Sequence, residues 1–258
     1  MSWWQSVILG IVQGLTEFLP VSSSGHLMIG RELLGLDAPE NLAFEVAVHA
    51  ATVAATIVVF RKKILALLCG LFKFKYNEQT DYIAKICVSM IPVFIVGVFF
   101  KDQVEAAFGS IVVVGIALLV TAVLLFFSDR AKGSGEKISF WQAAIIGLGQ
   151  AVAVIPGLSR SGTTISTGLL CGVRRESVAE FSFLMVIVPV LGEAFLDIVG
   201  GDFAAVSIGA APLVLGFVSA FLTGLFACRA MVSLVKKAGL RWFALYCAVA
   251  GALVLIFM

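Results

Sequence analysis

The sequence predicts an all-α integral membrane protein in which six transmembrane helices and two re-entrant helical hairpins form an inverted-topology repeat. Three observations carry that prediction. Of 258 residues, 60% are apolar and 13% charged, with a mean hydropathy of +1.07, whereas a soluble domain carries roughly 25% charged residues. Two apolar stretches are broken by clusters of Pro, Gly and Ser, residues that punctuate helices. Those two stretches also resemble each other. The same arithmetic excludes a soluble globular domain, a disordered chain and a small disulfide scaffold. A net charge of +2 leaves no basic surface for a nucleic-acid partner.

The chain reads as one membrane domain, residues 1–258. The first hairpin covers 3–35 and is broken at Phe18–Gly25. Spans at about 42–60, 83–100 and 110–127 complete a first half of about 1–128. The second hairpin covers 139–172 and is broken at Pro156–Gly162. Spans at about 178–199, 205–228 and 240–258 complete a second half of about 139–258. Each span approaches the roughly 20 residues that cross a bilayer. The two breaks cannot lie against lipid, where unpaired backbone has no partner, so both read as re-entrant turns covered by protein.

At a constant offset of 137, Gly10 falls on Gly147, Gln13 on Gln150, Ser22 on Ser159, Ser24 on Ser161, Gly25 on Gly162, Gly35 on Gly172 and Phe44 on Phe181. A shared order over such a length reads as a duplication. Each half holds a hairpin and three spans. Three is odd, so the second half enters the membrane from the opposite side, an architecture that forms sites near the midplane from broken helices. Charge agrees. Segments 61–85, 129–139, 174–175 and 229–241 hold all of the 18 lysines and arginines except Arg31, Lys101 and Arg160. The positive-inside rule makes those segments cytoplasmic and puts both chain ends outside. No basic residue precedes the first apolar run and no small-residue cleavage site follows it, so the first hairpin is expected to remain in the mature chain.

Ionisable groups inside apolar segments are functional candidates by default. The first break holds Gln13, Glu17, Ser22, Ser23, Ser24, Gly25 and His26. Gln13 and Glu17 share a helix face. His26 suits proton transfer or nucleophilic attack. Glu17 could orient His26, act as a base or hold a divalent cation through oxygen. The second break adds Arg160, whose planar fork matches phosphate, with Ser159, Ser161 and Thr164 as hydroxyl donors and Gly162 for close approach. Helices restarting near Gly25 and Thr163 aim free N–H groups into the turns, which suits an anion. Ser22 and Ser24 can also simply satisfy loose backbone. These groups together describe a phosphate-binding pocket equipped to cut phosphate.

The stretches Gln13–His26 (QGLTEFLPVSSSGH) and Pro156–Thr164 (PGLSRSGTT) resemble the two signature motifs of the bacitracin-resistance family of undecaprenyl-diphosphate phosphatases. The similarity runs over essentially the whole chain. It implies a membrane hydrolase of the bacterial cytoplasmic membrane that converts undecaprenyl diphosphate to undecaprenyl phosphate, recycling a cell-wall lipid carrier and conferring bacitracin resistance. It implies a divalent cation, Mg²⁺ or Ca²⁺, and a site open to the extracytoplasmic side. By position, Glu17 matches the second acidic residue of the first motif and is the metal ligand. Ser23 matches the candidate nucleophile, His26 the histidine and Arg160 the arginine of the second motif. Gln13 occupies the first acidic position, where members carry Glu or Gln, and cannot act as a base. The nucleophile stays open among Ser23, His26 and water.

Other features have plainer readings. His49 shares a face with Glu45 and reads as a buried pair with it. Glu180 reads as complementing a helix start, and Glu193 and Asp197 as wet interface residues. The five cysteines are odd in number, have no ligand spacing and are given no chemistry. The competing function is a transporter or flippase of a phosphorylated polyprenyl lipid, which has no use for a Glu17/His26 pair beside the phosphate. A second copy of the chain is admitted as a partner, since the oligomeric state is open.

Overall fold

The computed structural model describes residues 1–36, 42–131, 133–192, 208–237 and 239–258. These form α1 (Trp3–Thr16), α2 (Ser23–Leu33), α3 (Leu42–Leu71), α4 (Glu78–Phe99), α5 (Lys101–Phe108), α6 (Ile111–Ser128), α7 (Phe140–Val152), α8 (Arg160–Leu170), α9 (Arg175–Met185), α10 (Ala210–Lys237) and α11 (Arg241–Phe257). A short helical stretch, 187–192, follows α9. Among the described residues the only β feature is an isolated bridge between Gly135 and Val173.

Four helices, α3, α4, α6 and α10, are long and apolar enough to cross a membrane, while α7 and the 17-residue α11 are shorter apolar helices. The chain is a multi-pass helical membrane protein. Exposed Phe94, Ile95, Val98 and Phe99 on α4, and Val112, Ile116, Val120, Val123 and Phe127 on α6, give these helices apolar outer faces suited to lipid. The predicted span 42–60 runs on to Leu71 and 205–228 runs on to Lys237. The basic residues Arg61, Lys62 and Lys63 therefore sit on a helical extension and not in a loop. Part of the predicted span 178–199, with Glu193 and Asp197, lies outside the described residues.

Both expected breaks are present, between α1 and α2 and between α7 and α8. Their helices restart earlier than Gly25 and Thr163 suggest, at Ser23 and Arg160. Ser22 and Ser159 are the reason. Each is an N-cap whose hydroxyl accepts from the N–H three residues on, Gly25 at 3.3 Å and Gly162 at 3.1 Å. At the far ends Gly35 (φ +63°) and Gly172 (φ +81°) take the left-handed conformation that closes a helix.

The short helix α1 lies against the long helix α10, α7 against α4, and α6 against α11. Small residues bring these pairs close. A Cβ on Gly14 would stand 2.0 Å from Thr223 Oγ1 and 2.5 Å from the Ala220 carbonyl oxygen. Gly14→Ala is therefore expected to lower stability in detergent by about 1–3 kcal/mol through overpacking. Gly97→Ala, where nothing lies within 4 Å, should shift the melting midpoint far less. Equal midpoints for the two variants would contradict the tight α1–α10 seam.

Candidate active site

The two breaks meet. A Cβ on Gly25 would lie 3.0 Å from Gly157 Cα, and one on Gly162 would lie 3.3 Å from Pro20 Cβ. The Ser161 hydroxyl donates to the Leu19 carbonyl at 3.1 Å. At their junction sits Glu17, 9% exposed. Arg160 Nη2 donates to its Oε1 at 3.2 Å, while Ser23 Oγ (2.5 Å) and Gln13 Nε2 (2.9 Å) donate to its Oε2. Arg160 is the first residue of α8. A cation at a helix N-terminus opposes the macrodipole, so this placement makes sense only with negative charge nearby, and Glu17 supplies it. A cavity of about 20 Å³ opens beside Glu17, Arg160, Ser161, Thr52 and Ser182, room for about one water.

Of the twelve residues read as the site, Glu17, Ser23, Arg160 and Gln13 form one hydrogen-bonded cluster. Ser161 ties the two turns together, and Gly25 and Gly162 let them touch. The hydroxyls of Ser22 and Ser24 lie 3.4 Å apart, as do those of Ser159 and Ser161. Two placements depart from the sequence reading. His26 does not pair with Glu17. Its Nδ1 donates to the Ser22 carbonyl at 2.7 Å, its Nε2 accepts from Tyr246 at 2.7 Å, and the two rings stack with centroids 5.6 Å apart. Both ring nitrogens are thus engaged, and α11 draws the ring. Thr164 is not a pocket donor. It is fully buried, and its hydroxyl donates to the Arg160 carbonyl at 2.8 Å and meets Ser182 at 2.5 Å, because it points into the core of its own helix packing.

Two further expectations are corrected. The Glu45 side chain pairs with Arg31 and not with His49. His49 reaches only the Glu45 backbone carbonyl, through Nδ1 at 2.8 Å, and turns Nε2 toward Glu17 Oε2 at 3.9 Å. Glu180 lies in the middle of α9 and pairs with Lys63 at 2.8 Å; it does not complement a helix start.

A row of rings leads away from the site. Phe18 and Phe183 line the first cavity and Phe183 touches Phe60, with centroids 5.9 and 6.2 Å apart. Phe60 lines a second cavity of about 490 Å³ that is walled by Lys63, Glu78, Lys85, Lys137, Arg174 and Glu180 among others.

A sequence profile of the family described as "Bacitracin resistance protein BacA" matches residues 6–253. The chain belongs to the bacitracin resistance protein BacA family. A protein of Parabacteroides distasonis named undecaprenyl-diphosphatase is 57% identical over 97% of this chain and 96% of its own length. One of Bacteroides thetaiotaomicron with the same name is 55% identical over 99% of each. A more distant one, from Oceanobacillus iheyensis, is 37% identical over 97% of this chain and 95% of its own. In this BacA-family chain, sequence reasoning missed Tyr246, which carries no signal of its own inside an apolar helix. It also missed His49 as a neighbour of Glu17. The signal was present, an ionisable group within an apolar run, but the i, i+4 spacing to Glu45 pointed elsewhere.

Proposed function

We propose that the chain is a membrane phosphatase that hydrolyses undecaprenyl diphosphate to undecaprenyl phosphate and inorganic phosphate. The observation that carries this reading is Ser23 Oγ at 2.5 Å from a carboxylate oxygen whose partner oxygen holds Arg160. A hydroxyl against a base, with a guanidinium alongside, is the equipment of phosphoryl transfer. The full-length resemblance to undecaprenyl-diphosphatases supplies the substrate.

In this reading Arg160 exchanges the Glu17 carboxylate for the diphosphate, aided by the free N–H groups at the starts of α2 and α8. Ser23 attacks the terminal phosphorus. The Oγ–P bond forms, the anhydride bond breaks, the serine proton passes to Glu17, and undecaprenyl phosphate leaves. Water then attacks the phosphoserine, inorganic phosphate departs and Ser23 regains its proton. His26, held by Ser22 and Tyr246, fixes the turn that presents Ser23. A divalent cation fits the donors present, because Gln13 Oε1 is buried without a partner next to Glu17. Gln13 and Glu17 would hold it, and it would neutralise charge on the diphosphate.

The finer architecture is part of the proposal: six spans and two re-entrant hairpins in inverted repeat, 1–128 and 139–258, both ends outside the bacterial cytoplasmic membrane and the site open to the outer side. Support comes from matched details at offset 137: two serine caps, two hydroxyl pairs at 3.4 Å, two left-handed glycines, and the crossed packing of α1 on α10 and α7 on α4.

Ser23→Ala should abolish covalent phosphoenzyme and lower phosphate release by about 10²-fold or more, the loss of a general-base-assisted nucleophile. Release measured in detergent micelles is also something a carrier without hydrolytic chemistry would not give. Full turnover in Ser23→Ala would transfer the attack to water and leave Glu17 as its base.

A further inference from the structure

Ser22, the cap beside the nucleophile, stands in a backbone conformation that L-residues avoid. At φ +71° and ψ +98° its Cβ crowds a carbonyl oxygen. The other described non-glycine residue at positive φ, Phe74, is exposed, whereas Ser22 is buried. Strain of this kind persists only where the surroundings over-determine it. At Ser22 two donors converge on one carbonyl oxygen, the His26 backbone N–H at 3.2 Å and the His26 Nδ1 at 2.7 Å. A carbonyl only accepts, so Nδ1 carries the ring proton and the Nε2 lone pair takes the Tyr246 hydroxyl at 2.7 Å. Tyr246 also stacks on the imidazole, the planes 12° apart. Its neighbour Cys247 reaches the Pro20 carbonyl at 3.6 Å, so α11 grips the first turn at two points.

The second turn is a control within the same chain. Its cap, Ser159, has an ordinary φ of −66°. At offset 137 from His26 stands Thr163. Its N–H reaches the Ser159 carbonyl at 2.8 Å, but its hydroxyl has no partner and adds no second bond. Strained cap and imidazole brace thus occur together in the half that carries Ser23. The difference follows from side-chain length. Arg160 reaches Glu17 through a long stem, whereas a serine Oγ is one bond from Cβ and points where its backbone points. We infer that Tyr246 is the positioning residue of the nucleophile: its hydroxyl fixes the His26 ring, the ring holds Ser22 at positive φ, and that turn aims Ser23 Oγ. The inference rests on the phosphatase reading with Ser23 as nucleophile, and gives His26 a mechanical role in it.

The test uses the purified full chain in detergent. Tyr246→Phe keeps the ring and its stack and removes only the donor. It should lower kcat and the single-turnover rate about tenfold, the worth of one hydrogen bond, with KM and the melting midpoint nearly unchanged. Nitrogen NMR of labelled histidine should show His26 as the neutral Nδ1–H form in the wild type. The chain has two histidines, and the signal lost in His26→Gln assigns it. Its Nε2 resonance should shift in Tyr246→Phe. Glycine takes positive φ without strain and caps a helix nearly as well as serine, so a Ser22→Gly chain should need no brace. In that background Tyr246→Phe should cost less than about threefold. A raised KM with unchanged kcat would overturn the proposal. So would the same loss in both backgrounds, or His26 signals unchanged in Tyr246→Phe. The phosphatase reading fails separately, if the wild type releases no phosphate from undecaprenyl diphosphate, whatever the imidazole signals show.

Discussion

Arg160→Ala is expected to lower phosphate release from undecaprenyl diphosphate by about 10³-fold, at the upper end of the loss seen when one oxyanion donor is removed, because this donor also carries charge. It is the only lysine or arginine within the two breaks, and the α8 helix start sets its position. The substitution acts on stability as well. Glu17 would keep its burial and lose its guanidinium, and breaking one side of a buried pair costs about 3–5 kcal/mol. Two further variants separate these effects. Arg160→Ala combined with Glu17→Gln should regain most of the melting midpoint and none of the turnover. Arg160→Lys keeps the charge but not the planar fork, so it should recover only part of the activity. Turnover near wild type in a folded Arg160→Ala chain would remove the site.

Gly157→Ala is expected to damage folding and turnover together. Gly157 has φ +88°, and a Cβ there would lie 2.6 Å from both Val114 Cα and the Val114 carbonyl oxygen. The left-handed conformation alone costs an L-residue about 1–2 kcal/mol. The clash adds about 1–3 kcal/mol, since backbone of α6 has to move. Gly157 also touches Gly25, so a displaced second turn pushes on the first and shifts Arg160 relative to Glu17. Gly172→Ala is the comparison. It shares the positive φ, at +81°, but no atom lies within 4 Å, so it should show the conformational cost alone and keep activity. Melting midpoints and turnover of the two variants that matched each other would contradict the contact between the turns.

Much of the architecture was legible in the residues. Pro, Gly and Ser clusters located both breaks, and the charged groups they contain are the ones that meet at Glu17. The helix starts were placed two and three residues late because a glycine after serines reads as a helix breaker, while here the preceding serine caps the helix and the glycine N–H is what it holds. The His26 ring could not be oriented from its neighbours in sequence. Its direction depends on Tyr246, 220 residues away, and on the meeting of α2 with α11. The same holds for His49. Its spacing to Glu45 is local and visible, but Arg31 of α2 claims that carboxylate, which leaves the imidazole to face Glu17. Thr164 failed as a donor for a related reason. A helical threonine readily bonds the carbonyl a turn behind it, and Ser182 of α9 completes its hydrogen bonding.

The most direct test is a structure of the chain with a polyprenyl diphosphate analogue bound. The pyrophosphate group should lie at the junction of the two turns, with Arg160 on its terminal phosphate and Ser23 Oγ in line with the bridging bond. A pyrophosphate seated instead among Lys63, Lys85, Lys137 and Arg174 in the second cavity, with the Glu17–Arg160 pair still closed, would contradict the account.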